Sequence, residues 1–199
     1  MNRNLGTVGA PVGQAEAGQL VSSLLRSVGI VLACSLLVAV CAHVAVPLWF
    51  TPVPVTLQPF AVLMLGLLLG PGLAAGSMVA YLAEGAAGLP AFTPHGLGGV
   101  AQLLGPTGGY LLSYLLVAPL VSILWRHGVR SYSRALMAAA TGSLVTLFFG
   151  AAWFWLLTHA APMTLLNQTV LPFLPGDALK VCAAAGIAFG VRRILRYKG

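Results

Sequence analysis

From Ser27 to Trp125 the chain carries one side chain from the Asp, Glu, Lys and Arg set, Glu84. A soluble domain cannot cover its surface with so few charges, whereas a chain that lies in lipid needs none along its apolar faces. The whole composition points the same way: 59% of residues are hydrophobic, 7% are charged, and the mean hydropathy is +0.95. An all-α integral membrane protein is therefore expected, because helices satisfy their own backbone groups in hydrocarbon.

The net charge of +7 would suggest nucleic acid in a soluble chain. Here the basic residues flank apolar runs, so membrane topology accounts for them and no nucleic-acid partner is expected. Cys34, Cys41 and Cys182 lie within apolar stretches without metal-ligand spacing and read as small core residues, and no metal or cofactor is expected. The first residues are polar, with no early apolar core, so a cleaved signal peptide is not expected.

Apolar runs predict helices near 28–50, 59–70, 73–88, 110–125, 135–157 and 173–191. A single helix over 59–88 would run about 45 Å, too long for the bilayer without steep tilt. Gly70-Pro71-Gly72 divides it into a hairpin. Six transmembrane helices result, in three segments: a polar stretch 1–27, a membrane domain 28–191 and a basic tail 192–199. Arg3, Arg26, Arg126, Arg130, Arg134, Arg192, Arg193, Arg196 and Lys198 then fall on one side. The positive-inside rule makes that side, and both termini, cytoplasmic. The connections 51–58, 89–109 and 158–171 face outward and carry no Lys, Arg, Asp or Glu.

Three outward features hold the chemistry. Thr51-Pro-Val-Pro-Val-Thr-Leu-Gln58 is held extended by its prolines, and Pro59 suits a first helical turn. Thr56 and Gln58 either offer hydrogen bonds at a site mouth or only brace a connector. Tyr81, Glu84 and Gly88 share a helical face. Glu84 is costly in a span unless it is paired, near water or functional. The loop after it ends in Gly105-Pro-Thr-Gly-Gly-Tyr110. Gly96-Leu-Gly-Gly-Val-Ala101 resembles a dinucleotide-binding pattern by chance, since no βαβ unit surrounds it. The third feature, Pro172-Phe-Leu-Pro-Gly-Asp177-Ala-Leu-Lys180, sets an acid and a base three residues apart on one face. They form either a small-ligand site or a helix cap with a snorkelling lysine. Short, Gly/Pro-broken spans often border transporter cavities.

Together Pro52-Val-Pro-Val-Thr-Leu-Gln58, Gly85-Ala-Ala-Gly-Leu-Pro90, Gly105-Pro-Thr-Gly-Gly-Tyr110 and Pro175-Gly-Asp-Ala-Leu-Lys180 resemble the BioY family, the biotin-binding S components of energy-coupling factor (ECF) vitamin transporters. The resemblance covers roughly residues 30–190, in order. It implies a six-helix subunit of the cytoplasmic membrane that captures biotin and works with a transmembrane coupling protein and cytoplasmic ATPases. Asp177 would accept from the ureido N–H groups, and Lys180 would donate to the ureido oxygen or pair with the tail carboxylate. Tyr81, Phe92 and Tyr110 would wall the ring. Some relatives carry a basic residue in the glycine-rich loop; here His95, Lys180 or backbone N–H groups would meet the tail instead.

The resemblance also implies small residues on the first helix facing the coupling partner. Ser35 and Ala39, four apart, suit that role or ordinary packing within the bundle. The alternatives are an S component for thiamine or riboflavin and a structural membrane subunit. An intramembrane enzyme is not expected, because no Gly-x-Ser-Gly or His-Glu-x-x-His pattern occurs.

Overall fold

The computed structural model describes residues 12–129 and 131–197, so Arg3, Arg130 and Lys198 lie outside the described residues. Six helices form the bundle among the described residues: α1 (Val12–His43), α2 (Gln58–Leu68), α3 (Pro71–Ala86), α5 (Gly108–Arg126), α6 (Tyr132–Thr158) and α8 (Leu174–Tyr197). The short helices α4 (Gly99–Leu104) and α7 (Pro162–Thr169) lie in connections, and a two-stranded hairpin, β1 (Ala45–Leu48) and β2 (Thr51–Thr56), joins α1 to α2.

Each predicted helix has a counterpart, with differences at the ends. The run expected to stay helical to residue 50 stops at His43, whose ring nitrogen bonds the Ala39 carbonyl at 2.8 Å. Beyond it Val44, Val46 and Pro47 favour extended backbone, and proline cannot continue the helical ladder. Residues 45–48 instead pair antiparallel with β2, with Ala45 opposite Thr56 and Val46 opposite Val55. The extended conformation expected of the proline-rich stretch is β2 itself. The expected segment boundaries at 27/28 and 191/192 both fall inside helices, α1 and α8. Hydrophobicity marks where a helix enters lipid, not where its hydrogen bonding begins.

Gly70 and Pro71 break α2 from α3 as the sequence predicts. Leu69 is extended, and Pro71 takes the first position of α3, where its missing N–H costs nothing. Four helical stretches, Gly18–His43, Gly108–Arg126, Tyr132–Thr158 and Leu174–Ile194, are long and apolar enough to cross a membrane. α2 is shorter, and it is buried along much of its length: Ala61, Val62, Leu63, Leu65 and Leu67 are each 4% exposed or less. It packs against α1, α5, α6 and α8. A helix apolar on all sides belongs inside a bundle.

The bundle has two unlike ends. At one, Ser122 Oγ donates to the Leu69 carbonyl at 2.6 Å, and Arg192 lies over the Trp125 ring at 5.8 Å, next to Arg126 at the end of α5. At the other, the β hairpin, the 87–107 connection and the 159–173 connection gather over the bundle.

Candidate functional site

Those three connections and the helix ends beneath them line a cavity. β2 contributes Val53, Pro54 and Thr56, and α2 opens on it with Gln58 and Pro59. Thr93, Gln102 and Thr107 come from the glycine-rich connection, Tyr110, Leu111 and Tyr114 from α5, and Thr146 and Leu147 from α6. Phe173, Asp177 and Lys180 complete the wall.

The ionic centre lies on the first turns of α8. Lys180 Nζ donates to Asp177 Oδ1 at 3.0 Å, and Ser143 Oγ of α6 donates to Asp177 Oδ2 at 3.1 Å. Asp177 is 7% exposed and Lys180 9%, so the pair is buried on the cavity wall rather than snorkelling outward. An ammonium has three N–H donors, of which Asp177 takes one. The pair therefore presents a carboxylate edge that accepts and an ammonium that donates, side by side.

A neutral relay runs behind another part of the lining. Thr56 Oγ1 donates to Gln58 Oε1 at 3.0 Å, and Gln58 Nε2 donates to the Tyr81 hydroxyl. Tyr81 in turn meets Phe92 edge-on, ring centroids 5.5 Å apart. Phe92 fits because Gly85 has no side chain: a Cβ there would run into the Phe92 ring. Tyr110 donates to the Thr169 carbonyl at 2.6 Å and packs obliquely on Phe173, 5.9 Å between centroids. Gln102 ties the connection to α5, donating to Thr107 Oγ1 at 2.6 Å and accepting from the Gly98 N–H at 3.4 Å. The hairpin is held down by Thr51 Oγ1, which donates to the Gln168 carbonyl at 2.8 Å.

This arrangement sets hydrogen-bond donors and acceptors side by side among aromatic rings and threonines, the chemistry of a small-molecule pocket. Known proteins carry the same message. The BioY family model matches residues 6–197. The chain belongs to the BioY family. A probable biotin transporter BioY of Pyrococcus horikoshii is 40% identical over 137 residues, covering 69% of this chain and 79% of that one. A biotin transporter BioY of Lactococcus lactis is 32% identical over 161 residues, 77% of this chain and 82% of that one. Among solved structures, the S component for biotin from an ECF-type ABC transporter matches with a TM-score of 0.78 at 26% identity, over 86% of this chain and 93% of that one.

Of the site residues that sequence reasoning singled out in this BioY chain, Thr56, Gln58, Tyr110, Asp177 and Lys180 line the cavity together. Tyr81 and Phe92 stand one layer behind, acting through Gln58 and the ring contact. Glu84 is outside the lining, where Ser35 Oγ of α1 donates to its Oε1 at 2.9 Å. The face expected for Tyr81, Glu84 and Gly88 holds only for the first two, three apart within α3; the helix ends at Ala86, so Gly88 lies beyond it. His95 is exposed and does not line the cavity. Ser35 is 1% exposed and Ala39 8%, so both pack inside the bundle and neither is presented to a coupling partner. Ser143, Thr93, Gln102, Thr107, Tyr114 and Thr146 are site residues that the sequence did not single out. For Thr107 a signal was present in the Gly105-Pro-Thr-Gly-Gly motif, whereas Ser143 sits in a small-residue run that resembles ordinary helix packing.

Proposed function

We propose that this chain captures biotin as the substrate-binding subunit of an ECF-type transporter in the cytoplasmic membrane. The observation that carries the reading is the buried Asp177–Lys180 pair on the cavity wall of a BioY-family fold. The ureido ring of biotin has two N–H donors beside one carbonyl acceptor. Asp177 accepts from the ring N–H groups, and Lys180 donates to its oxygen. Gln58 and Thr56 contact the ring edge, Tyr110 walls its apolar face, and Tyr81 and Phe92 hold Gln58 in position.

Six membrane crossings with both chain termini in the cytoplasm complete the reading. The six helices of the bundle and the arginines at 126, 134, 192 and 193, distant from the cavity, support it. The cavity then faces outward, where biotin arrives. ATP hydrolysis belongs to partner ATPases joined through a transmembrane coupling protein.

Titrating biotin into the detergent-purified chain tests the substrate. Saturable binding of biotin, with thiamine and riboflavin failing to compete, is the expected result; a folded protein that ignores biotin overturns the assignment. Cysteines introduced at the exposed positions His95 and His127, in a background lacking native cysteines, should label from opposite sides of intact cells.

A further inference from the structure

The cavity contains a polar atom that the protein itself leaves unsatisfied. Thr93 is 7% exposed, lines the cavity, and its Oγ1 has no hydrogen-bond partner among the described residues. Several other groups of the lining are engaged: Gln102 with Thr107, Thr56 with Gln58, Tyr110 with the Thr169 carbonyl, Thr146 with the Gly142 carbonyl at 3.1 Å. A buried hydroxyl without a partner is unfavourable, and such an atom at a binding cavity marks a place where a ligand atom completes the bond. Its position is well held, because the adjacent Phe92 is locked against Tyr81 and Gly85.

The charges of the lining add a second constraint. Among the described residues, Asp177 and Lys180 are its only members from the Asp, Glu, Lys, Arg and His set. They neutralise one another at 3.0 Å, and Ser143 occupies the second carboxylate oxygen. The wall therefore carries no net charge and no second cation with which to read an anionic group.

Resting on the biotin reading above, we propose that Thr93 donates its hydroxyl to the carboxyl end of bound biotin, and that the cavity accepts neutral-tailed biotin derivatives, amide and ester, nearly as well as the free acid. A hydroxyl can donate to a carboxylate, an amide carbonyl or an ester carbonyl, most strongly to the carboxylate, and needs no charge on the acceptor. The first turns of α2, α5 and α8 open on the cavity, and their dipoles favour an anion weakly. The free acid keeps an advantage of less than about tenfold from that source.

The test compares biotin, biotinamide and biotin methyl ester by calorimetric titration of the purified chain and of Thr93→Val and Thr93→Ser. In the unaltered chain the amide and ester should bind within about tenfold of biotin. Thr93→Val should weaken all three, the amide and ester by about three- to tenfold and the free acid by somewhat more, while Thr93→Ser keeps wild-type affinity. The melting temperature of Thr93→Val should not fall, since valine removes an unsatisfied group and keeps the shape. Amide binding more than a hundredfold weaker than biotin would overturn the proposal and assign the carboxylate to Lys180. Unchanged affinities in Thr93→Val would overturn it as well. Failure of the unaltered chain to bind biotin would overturn the substrate reading itself, an outcome separate from biotin binding with rejection of the amide.

Discussion

The two ends of the bundle are built from the same helices by opposite rules. Away from the cavity, α2, α5 and α6 meet through small residues: a Cβ on Gly66 would lie 2.8 Å from the Ala118 carbonyl oxygen, and one on Gly142 would lie 2.6 Å from Val121 and 2.7 Å from Leu63. Ala118, Val121, Ala138 and Ala139 are 2% exposed or less in the same cluster. In lipid there is little hydrophobic gain from helix association, so close packing of small side chains has to hold the helices together. At the cavity end irregular backbone enters, and buried threonines, glutamines and one ion pair join the aliphatic and aromatic contacts. Irregular backbone is tolerated at that depth because it borders a cavity and its polar groups find partners. α6 shows the change within one turn: Gly142 packs on Leu63 and Val121, and the next residue, Ser143, bonds Asp177. A closely packed half thus adjoins the polar half that holds the cavity.

If that division is right, substitutions at the two ends should separate affinity from stability. The largest effect on affinity belongs to the ion pair. Asp177→Asn and Lys180→Met should each weaken biotin binding about ten- to a hundredfold, the range expected for a lost charge-assisted hydrogen bond. Normal affinity in both would reduce the pair to an anchor of α8. Next, Gly66→Val should lower stability by about 1–3 kcal/mol through overpacking against α5. Biotin affinity of the folded fraction should stay within about twofold, read by thermal melting alongside calorimetry. A large affinity loss there would mean that the two ends are coupled, not separate.

A smaller effect is expected behind the cavity wall. Tyr81→Phe removes the hydroxyl that accepts from Gln58 and should weaken binding about three- to tenfold, through a lost neutral hydrogen bond. The smallest concerns Glu84→Gln, which keeps an acceptor for Ser35 while removing the ionisable carboxyl. Biotin affinity should change by less than about twofold, since the α1–α3 contact lies outside the cavity lining. A clear loss would extend the binding half of the molecule as far as α1.

Features that depend only on local chemistry were legible in the sequence by itself. Apolar runs marked the six helices of the bundle, four of them long and apolar enough to cross a membrane, because a helix surrounded by lipid or by other apolar helices has to be apolar itself. Gly70-Pro71 marked the break between α2 and α3, and the prolines at 52 and 54 marked extended chain, because proline restricts its own backbone wherever it occurs. Asp177 and Lys180 were legible as a pair because three residues of helix place two side chains together without help from the rest of the fold. Everything that depends on a second element had to wait for the tertiary structure. Nothing local distinguishes Ser143 or Thr93 from other buried polar residues. Only the approach of α6 to α8 gives Ser143 its carboxylate, and only the folding of the 87–107 connection over the bundle leaves Thr93 facing the cavity without a partner among the described residues. Ser35 and Ala39 show the limit in reverse. Their spacing permits close contact with any helix, and it is the docking of α3 against α1, with Glu84 bonded to Ser35, that commits them to the interior.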